Sequence, residues 1–572
     1  MNKLYLIRVI CMMSISYLSL SLAAQPVITS VQPRKAAAGT TIEILGNNFS
    51  ETLVDNHIFF GPVKGEILSS TATRLSVKIP GSTSIERIKV TSNELTTTAQ
   101  IGFQRIVNQP TSIDNSLYTK KQEINSSGFI NTVMLDDLNE DGKADLITNK
   151  ETAIWIYRNS TTSNDDIKLS RNEIPVILNA GNKSIDFITA DVNGDGKKDI
   201  LMLHKEAAIV SVYRNISSNT SISFSGPTNI NTTDIAGSIA VEDIDGDGRP
   251  DMLLGFKNNK RLTIKKNNST LTSIVFTGNT DITTPEAVGK IQLCDLNADN
   301  RPDIIASTFN TNTGAIYIYQ NAGIKGSIGN TSFLSRITLP LNNTSPTDFA
   351  SVDLNDDLKP EITVVLADKI TIFQNQFISG NLNTSSFGTG IDLETGKAYR
   401  RITIADINSD GKPDIAGAVI AGGINILQNN TNGGNITTGT FTTGISLSTS
   451  IGSSPASLVI GDLDGDSNPE IIASKTTAEQ FIVLVYSPPQ TNNNSISVNA
   501  NTTQSVCSGS NRVSVPYQVQ AGAPTKYSII WNSQALNAGL NNQINNVLNN
   551  NLVSINLLAT LPLGMYNGII SY

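Results

Sequence analysis

The most constraining feature of this chain is an acidic nine-residue segment that recurs seven times at a nearly constant spacing. The copies read DLNEDGKAD (137–145), DVNGDGKKD (191–199), DIDGDGRPD (243–251), DLNADNRPD (295–303), DLNDDLKPE (353–361), DINSDGKPD (406–414) and DLDGDSNPE (462–470). Their first residues are 54, 52, 52, 58, 53 and 56 residues apart. A fixed period of this length indicates a repeat architecture, in which each repeat is one supersecondary unit packed against its neighbours.

Each acidic segment lies among short apolar runs of strand length. One run precedes it (187–190), one follows it (199–203), and a third ends in Asn (212–215). A fourth run often carries a phenylalanine: Phe224, Phe276, Phe333, Phe387 and Phe441. Short β-rich runs bounded by Gly, Asn and Asp read as strands, and four strands in this length make one propeller blade. The sequence therefore predicts an all-β fold with a seven-bladed β-propeller over residues 113–487.

The two ends of the repeat region are complementary. Tyr118 precedes Asp137 by 19 residues, the same interval by which Phe224, Phe276 and Phe387 precede the next acidic segment. The third strand of the last repeat, near 481–486, runs directly into two prolines. We therefore expect the strand near Tyr118 to pair with the strand near 481–486, which removes two open sheet edges.

The acidic segments carry oxygen-bearing side chains at positions 1, 3, 5 and 9. Calcium takes six to eight oxygen ligands, and side chains at these positions of a tight loop converge on one point, with the position-7 carbonyl available as a further ligand. The predicted metal ligands are Asp137, Asn139, Asp141 and Asp145; Asp191, Asn193, Asp195 and Asp199; Asp243, Asp245, Asp247 and Asp251; Asp295, Asn297, Asp299 and Asp303; Asp353, Asn355, Asp357 and Glu361; Asp406, Asn408, Asp410 and Asp414; and Asp462, Asp464, Asp466 and Glu470.

Position 6 distinguishes the segments, because the turn there favours a positive φ angle. Glycine occupies it in segments 1, 2, 3 and 6, which predicts at least four bound calcium ions. Asn300 of segment 4 can be accommodated there. Segments 5 and 7 differ from the others, because they have Leu358 and Ser467 at position 6 and end in Glu361 and Glu470. The simpler alternative is that the segments are Asx turns that only start strands. Calcium with a purely structural role is a second alternative, since every repeat carries a loop.

The flanking regions have different patterns. Lys3 and Arg8, an apolar run over 9–22, and Ala23-Ala24 before Gln25 are typical of a cleavable secretory signal at 1–24. Residues 26–103 alternate short strands with Gly and Pro turns and predict a small immunoglobulin-like β-sandwich. An Asn/Ser/Thr-rich linker at 488–500 is followed by a second β module at 501–572.

Composition restricts the function classes. A formal net charge of −8 argues against nucleic acid as a partner, and the mature chain has no apolar stretch long enough for a membrane span. Cys11, Cys294 and Cys507 are too few and too scattered for a disulfide scaffold. The sequons at Asn125 and Asn215 matter only in a host that glycosylates them.

The inventory of catalytic residues predicts that the chain is not an enzyme. His57 and His204 are the two histidines, and they lie in different modules. We expect His204 to be a surface residue at a strand end. G-x-S-x-G, H-E-x-x-H and Cys/His motifs are missing from the sequence. Most carboxylate pairs suited to glycosidic cleavage fall in the acidic segments.

The repeats resemble the FG-GAP/VCBS family, whose blades occur in integrin α-subunit propellers and in bacterial surface proteins. This resemblance covers about 116–487 and implies calcium on the loop between the first two strands of each blade. Residues 26–103 resemble an IPT/TIG domain. The tail resembles immunoglobulin-like repeats of Bacteroidetes-type surface proteins. In those repeats the residue at Cys507 pairs with a later cysteine, which implies that this sequence is truncated.

These patterns lead to a functional expectation. We expect a secreted or cell-surface calcium-binding propeller for adhesion to, or binding of, an extracellular glycan or protein. Two alternatives stay open: a propeller-based polysaccharide lyase or hydrolase, and a structural spacer in a surface assembly.

Overall fold

The computed structural model describes the strands and most of the loops between them. The described residues are 24–80, 86–105, 113, 118, 120–125, 130–150, 153–162, 167–169, 176–179, 184–309, 313–342, 344–393, 396–442, 444–447, 455–466, 468–475 and 480–485, and in the C-terminal unit 495–498, 512–521, 526–531, 536, 540, 543–547, 552–556 and 568–571. Residues 1–23 of the predicted secretory signal, Ser467 and Cys507 lie outside them.

The N-terminal module, as predicted, is a sandwich of two β-sheets. One sheet has the order Val27–Gln32, Thr41–Asn47, Arg74–Lys78 and Glu66–Thr71; the other has the order Lys35–Ala36, Leu95–Arg105, Glu86–Ser92, Asn56–Phe60 and Val63–Lys64. The alternating apolar residues of both sheets meet in one core, where the Phe60 and Phe103 rings pack edge to face at 5.4 Å.

Seven four-stranded antiparallel sheets follow, here called repeat sheets 1–7. In spatial order their strands are Ile130–Asp136, Asp145–Lys150, Ala153–Tyr157 and Val176–Asn179 (sheet 1); Ser184–Ala190, Asp199–His204, Ile209–Tyr213 and Thr228–Asn231 (2); Ser238–Glu242, Asp251–Gly255, Arg261–Asn267 and Phe276–Thr283 (3); Val288–Cys294, Asp303–Thr308, Ala315–Tyr319 and Ile337–Pro340 (4); Asp348–Val352, Glu361–Val365, Ile370–Phe373 and Ile391–Leu393 (5); Tyr399–Ala405, Asp414–Val419, Ile424–Leu427 and Ile445–Leu447 (6); and Pro455–Gly461, Glu470–Lys475, Gln480–Val485 and Lys120–Asn125 (7).

Sheet 7 joins the two ends of the repeat region, which confirms the predicted pairing. Lys120–Asn125 runs antiparallel to Gln480–Val485, with Gln122 opposite Val483. Tyr118 itself lies just before the strand and is buried. The phenylalanines used to locate the fourth strands also lie just before them. Four of them form isolated bridges to an asparagine, as in Asn215 with Phe224, and only Phe276 begins a strand.

The first strands of the repeat sheets form the inside of the assembly. Each contacts the first strand of the next sheet, and the first strand of sheet 7 contacts that of sheet 1. Apolar side chains fill the space between successive sheets; one cluster joins Leu201 and Val212 of sheet 2 to Val241 and Leu254 of sheet 3. The structure is all-β apart from short 3₁₀ turns such as Leu53–Asp55 and Thr384–Ser386. Within the described residues, no helix has the length and apolar character needed to cross a bilayer.

The placement of His204 corrects the sequence prediction. It is the last residue of its strand, as expected, but it is 1% exposed rather than at the surface, and its Nε2 lies 2.8 Å from the Ser211 hydroxyl. The strand-end position was predicted correctly, but the ring is buried beside Ser211 of the neighbouring strand.

The C-terminal unit, Ser487–Tyr572, contains two three-stranded sheets. Their strands, in spatial order, are Ser495–Val498, Arg512–Ala521 and Leu552–Asn556, and Gln543–Val547, Lys526–Trp531 and Gly568–Ser571.

Candidate metal centre in the acidic loops

The seven acidic segments all form loops between the first and second strands of their sheets, here called acidic loops 1–7. The backbone turns sharply twice in each. Position 6 has a positive φ wherever it is described, including Asn300 (67°) and Leu358 (70°). Position 4 also has a positive φ, which the sequence did not reveal because non-glycine residues such as Glu140 (59°) and Ser409 (60°) occupy it in four loops.

The position-1 aspartate closes each loop by accepting backbone hydrogen bonds. In loop 1, the N–H groups of Asp141 and Gly142 donate to the two carboxylate oxygens of Asp137 at 3.1 and 3.0 Å. Loop 6 repeats the arrangement, with Asp410 and Gly411 donating to Asp406 at 3.0 and 2.8 Å. The two turns therefore direct several N–H groups at the first carboxylate, as an Asx turn does.

The position-9 carboxylate is buried in all seven loops and ties each loop to its sheet. In loop 1, Asp145 Oδ2 accepts from the position-2 N–H of Leu138 at 3.0 Å, and Oδ1 accepts from the N–H of Asn159, just past the third strand, at 2.8 Å. The contact with the position-2 N–H recurs in all seven loops at 2.7–3.2 Å. This residue therefore has a structural role with or without metal.

A set of asparagines that sequence reasoning left without a role connects neighbouring sheets. Each lies at the end of a third strand or just past it, and donates through Nδ2 to the position-2 carbonyl of the preceding sheet's loop. These inter-sheet asparagines and their acceptors are Asn159 to Leu463, Asn215 to Leu138, Asn267 to Val192, Asn321 to Ile244, Asn375 to Leu296 and Asn429 to Leu354, at 2.7–2.9 Å. The bond from Asn159 to Leu463 joins sheet 1 to sheet 7. The recurrence of Asn at the end of the third run was the signal that could have identified them.

Asn215 is therefore not an accessible glycosylation acceptor in the folded chain. It is 1% exposed, and its Nδ2 donates to the carbonyls of Leu138 and Lys198 at 2.9 and 3.0 Å. The sequon at this position is structural, whereas the side chain of Asn125 lies outside the described residues.

Several loop oxygens are buried without a hydrogen-bond partner, which is the pattern expected where a cation binds. They are Asn139 Oδ1, Asn297 Oδ1, Asp243 Oδ1, Glu361 Oε1 and Glu470 Oε1. A buried acceptor left without a donor costs about 1–3 kcal/mol. Ligand oxygens of three residues lie within 4.8 Å of one another in loop 3 (Asp243, Asp245, Asp251) and in loop 7 (Asp462, Asp464, Glu470). The hard oxygen ligands and their convergence fit calcium.

Burial and mutual repulsion shift the pKa values of the loop carboxylates upwards. Burial, opposed by backbone hydrogen bonds and reinforced by neighbouring aspartates, raises the pKa of Asp137, Asp191, Asp243 and Asp406 to about 7. Burial likewise raises the pKa of Asp251 and Asp303 to about 8 and that of Glu361 to about 9. A divalent cation would favour the charged forms and reverse these shifts.

In-chain cations approach some loops and not others. Arg158 reaches Asp141 in loop 1 at 3.4 Å, Arg214 reaches Asp195 in loop 2 at 3.6 Å, and Arg301 reaches Asp299 in loop 4 at 2.6 Å. Lys266 contacts both Asp245 and Asp247 in loop 3. The loops therefore differ in how far Arg and Lys side chains of the chain neutralise their carboxylates, and the loop sequences alone do not show this difference.

The N-terminal module lies on the acidic-loop side of the repeat sheets. Basic residues of the module form ion pairs with acidic residues in or beside the loops: Lys64 with Glu140 at 2.9 Å, Lys89 with Glu242 at 2.9 Å, and Arg34 with Asp356 at 2.6 Å. Backbone bonds add to these contacts, among them Thr96 N–H to the Gly248 carbonyl at 2.7 Å. The sequence did not predict that the module covers these loops.

Two loop glycines are required by this contact as well as by their φ angles. A Cβ at Gly196 would come within 2.3 Å of His57 Nδ1, and a Cβ at Gly248 would come within 2.8 Å of Leu95 Cβ. His57 is itself covered, and burial together with the Lys64 charge lowers its pKa to about 4. Loops 2 and 3 therefore have no room for a larger residue at position 6.

A cavity of about 760 Å³ lies between the module and the inner strands of the repeat sheets. Its charged lining includes Arg87, Lys89, Asp136, Lys198 and Glu242. These groups are paired: Lys198 lies 2.8 Å from Asp136, and Thr98 Oγ1 donates to Glu242 at 2.7 Å. Several charged groups of the cavity lining are therefore paired with a neighbouring side chain.

A second charged cluster lies at the opposite end of the inner strands. Lys290 pairs with Asp348 at 2.7 Å, and Lys257 lies 5.2 Å from the centre of the partly exposed Phe309 ring. Burial raises the pKa of Asp186, while Arg401, Lys290 and Lys257 act in the opposite direction. Three cations thus surround two carboxylates at this end.

Comparison with known proteins agrees with the sheet and loop pattern. The chain contains FG-GAP-like repeats, matched over 137–202, 191–254 and 406–473, and an N-terminal IPT/TIG domain, matched over 26–105. No curated protein matches the chain in sequence.

Three solved structures match the chain at low sequence identity. BBS1N in complex with ARL6DN, soaked with lead, is 12% identical and covers 65% of this chain and 97% of its own, with a TM-score of 0.41. Raptor from Chaetomium thermophilum is 10% identical; the match covers 66% of this chain and 30% of Raptor, with a TM-score of 0.41. An auxiliary nutrient binding protein from Bacteroides ovatus ATCC 8483 is 10% identical; the match covers 80% of this chain and 97% of that protein, with a TM-score of 0.31.

Proposed function

We propose that residues 113–487 form a seven-bladed, calcium-stabilised β-propeller that binds an extracellular ligand at the cell surface or after secretion. The observation that carries this proposal is the repetition of one loop geometry in all seven sheets. A catalytic centre is a single place in a fold, whereas a feature present in every repeat supports the architecture and leaves other surfaces free for recognition.

The loop residues that would hold calcium are those at positions 1, 3, 5 and 9, together with the position-7 carbonyl. The ion would supply positive charge to carboxylates that burial otherwise drives towards protonation. The position-1 and position-9 carboxylates fix the loop backbone through N–H bonds, so the metal would add to an existing framework. Its role is therefore structural.

The end of the inner strands away from the N-terminal module offers a place for a ligand. Lys257, Lys290 and Arg401 exceed the local carboxylates in number, and the Phe309 ring is 39% exposed beside Lys257. A cation next to an accessible aromatic face suits an acidic sugar, which offers a carboxylate and an apolar ring face. We propose an acidic glycan as the ligand class.

Binding is favoured over catalysis by the positions of the histidines. His57 is covered by contact with loop 2, and His204 is 1% exposed and bonded to Ser211. His204 lies at the same end of sheet 2 as Asp186, next to its strand partner Leu203, but it is buried. A panel of acidic polysaccharides incubated with the protein should therefore show no cleavage products. Turnover that a carboxylate substitution outside the acidic loops abolishes would contradict the proposal.

Calcium and ligand binding can be tested separately. Calorimetric titration should show several calcium ions bound with dissociation constants on the order of 10⁻⁴–10⁻³ M, and EDTA should lower Tm because the metal binds only the folded state. On a glycan array, the double variant Lys257→Gln/Arg401→Gln should lose binding to acidic glycans. The control Lys260→Gln changes an exposed lysine in the same sheet. An equal loss of glycan binding in the control would overturn the proposed ligand site. No calcium uptake, together with an unchanged Tm in EDTA, would overturn the proposed calcium binding.

A further inference from the structure

The lysine in acidic loop 3 lies between two carboxylates that a metal ion would need. Lys266 Nζ is hydrogen-bonded to Asp245 Oδ2 and lies 3.0 Å from Asp247 Oδ2, and it also donates to the Gly326 carbonyl at 2.8 Å. The Asp245 carboxylate has no exposed surface. The ammonium is therefore held by three oxygens, two of them predicted calcium ligands.

Loop 3 differs at position 3 from loops 1, 2, 4 and 6. Position 3 is Asn in loops 1, 2, 4 and 6, and its Nδ2 donates to the position-5 carboxylate at 3.0–3.2 Å. Position 3 of loop 3 is Asp245, which has no hydrogen to donate when ionised. Two carboxylates then face each other and need a positive charge between them. Lys266 supplies that charge.

Loop 7 has the same pair of carboxylates without the lysine. Its positions 3 and 5 are Asp464 and Asp466. The strand register identifies the residue equivalent to Lys266: Met252 pairs with Lys265 in sheet 3, and Ile471 pairs with Leu484 in sheet 7. The next residue in sheet 7 is Val485, which is 3% exposed and carries no charge.

We propose that Lys266 replaces the metal in loop 3, so that this loop binds no calcium, and that loop 7 binds calcium at the equivalent place. The inference rests on the proposed calcium binding by the acidic loops. It reverses the sequence prediction, in which loop 3 is a complete site and loop 7 an incomplete one.

Further contacts support the two halves of the inference. In loop 3, Asp243 Oδ2 accepts from Gln25 Nε2 at 2.7 Å and from the Gly248 N–H at 2.8 Å, so a side chain of the N-terminal module donates to this loop in addition to Lys266. In loop 7, ligand oxygens of Asp462, Asp464 and Glu470 converge within 4.8 Å, and the buried Glu470 Oε1 has no hydrogen-bond partner.

Counting bound calcium by native mass spectrometry of the full chain tests the assignment. Lys266→Met should bind one more calcium ion than the unaltered protein, because Asp245 and Asp247 become available. Asp464→Asn should bind one fewer. Lys412→Met is the matched control, since Lys412 lies in loop 6 and donates to Asn432 at 3.4 Å rather than to a loop carboxylate. Its count should not change. An unchanged count for Lys266→Met, or for Asp464→Asn, would overturn the inference.

A calcium-free measurement separates this inference from the proposed function. In EDTA, Lys266→Met should lower Tm, because the facing carboxylates of Asp245 and Asp247 lose their counter-charge. Lys412→Met should leave Tm unchanged. If no calcium binds to any variant but Lys266→Met shows this loss, calcium binding fails while the role of Lys266 stands. If Lys266→Met is as stable as the unaltered protein in EDTA, the role of Lys266 is wrong even where calcium binds elsewhere.

Discussion

Replacing an inter-sheet asparagine by alanine should cost far more stability than its loop position indicates. Asn215 Nδ2 donates to the carbonyls of Leu138 and Lys198 at 2.9 and 3.0 Å, and its Oδ1 accepts from the Ser217 N–H at 2.9 Å. Asn215→Ala removes all three hydrogen bonds, so the two carbonyls and the Ser217 N–H each lose this partner. At about 1–1.5 kcal/mol for each net hydrogen bond, the expected loss in the free energy of unfolding is about 3–4.5 kcal/mol.

Urea unfolding followed by circular dichroism in excess calcium measures this loss. Asn279→Ala is the matched control, because Asn279 is exposed in the fourth strand of sheet 3, and it should change the free energy of unfolding by no more than about 0.5 kcal/mol. Asn215→Asp should be at least as harmful as alanine, because a carboxylate cannot donate to the two carbonyls. A loss below about 1 kcal/mol for Asn215→Ala would show that these bonds do not hold sheets 1 and 2 together.

Three further predictions concern the loops and the pairing of the two end strands in sheet 7. The calcium-induced rise in Tm should grow from pH 5 to pH 8. Without metal, a raised pKa such as that of Asp251 (about 8) gives stability that is present below about pH 4 and is lost as the pH rises through 8. Bound calcium instead favours the ionised carboxylate, so it stabilises the fold more at the higher pH. Leu358→Gly should raise Tm, because it removes the backbone strain of a non-glycine residue at a φ of 70°, which costs about 1 kcal/mol of stability. A lower Tm would show that the leucine side chain contributes more stability than this strain costs. Cysteines replacing Gln122 and Val483, which are directly paired across sheet 7, should crosslink on oxidation, whereas failure to crosslink in folded protein would contradict the closure.

The sequence predicted the features that depend on local pattern and on repetition. The acidic nine-residue segments, which recur every 52–58 residues, located every loop between the first two strands of a sheet, and glycine at position 6 predicted the positive φ there. The 19-residue interval from Tyr118 to Asp137 was enough to predict the pairing of strands some 360 residues apart, because repeats share one register. These inferences succeed because strand patterns, turn residues and spacing are all properties of neighbouring residues.

Only the tertiary structure decided how the loops are compensated and covered. Lys266 follows Asp245 by 21 residues in the chain, yet strand pairing brings its ammonium onto that carboxylate. The ion pair between Lys89 and Glu242, like the contact of His57 with Gly196, joins residues more than 130 positions apart. Such contacts depend on the three-dimensional arrangement of separate strands and modules, and nothing in the local sequence records which residue will face a given carboxylate. The repeats therefore determined where the acidic loops lie, whereas packing between distant segments determined which of them keep free oxygens for a metal ion.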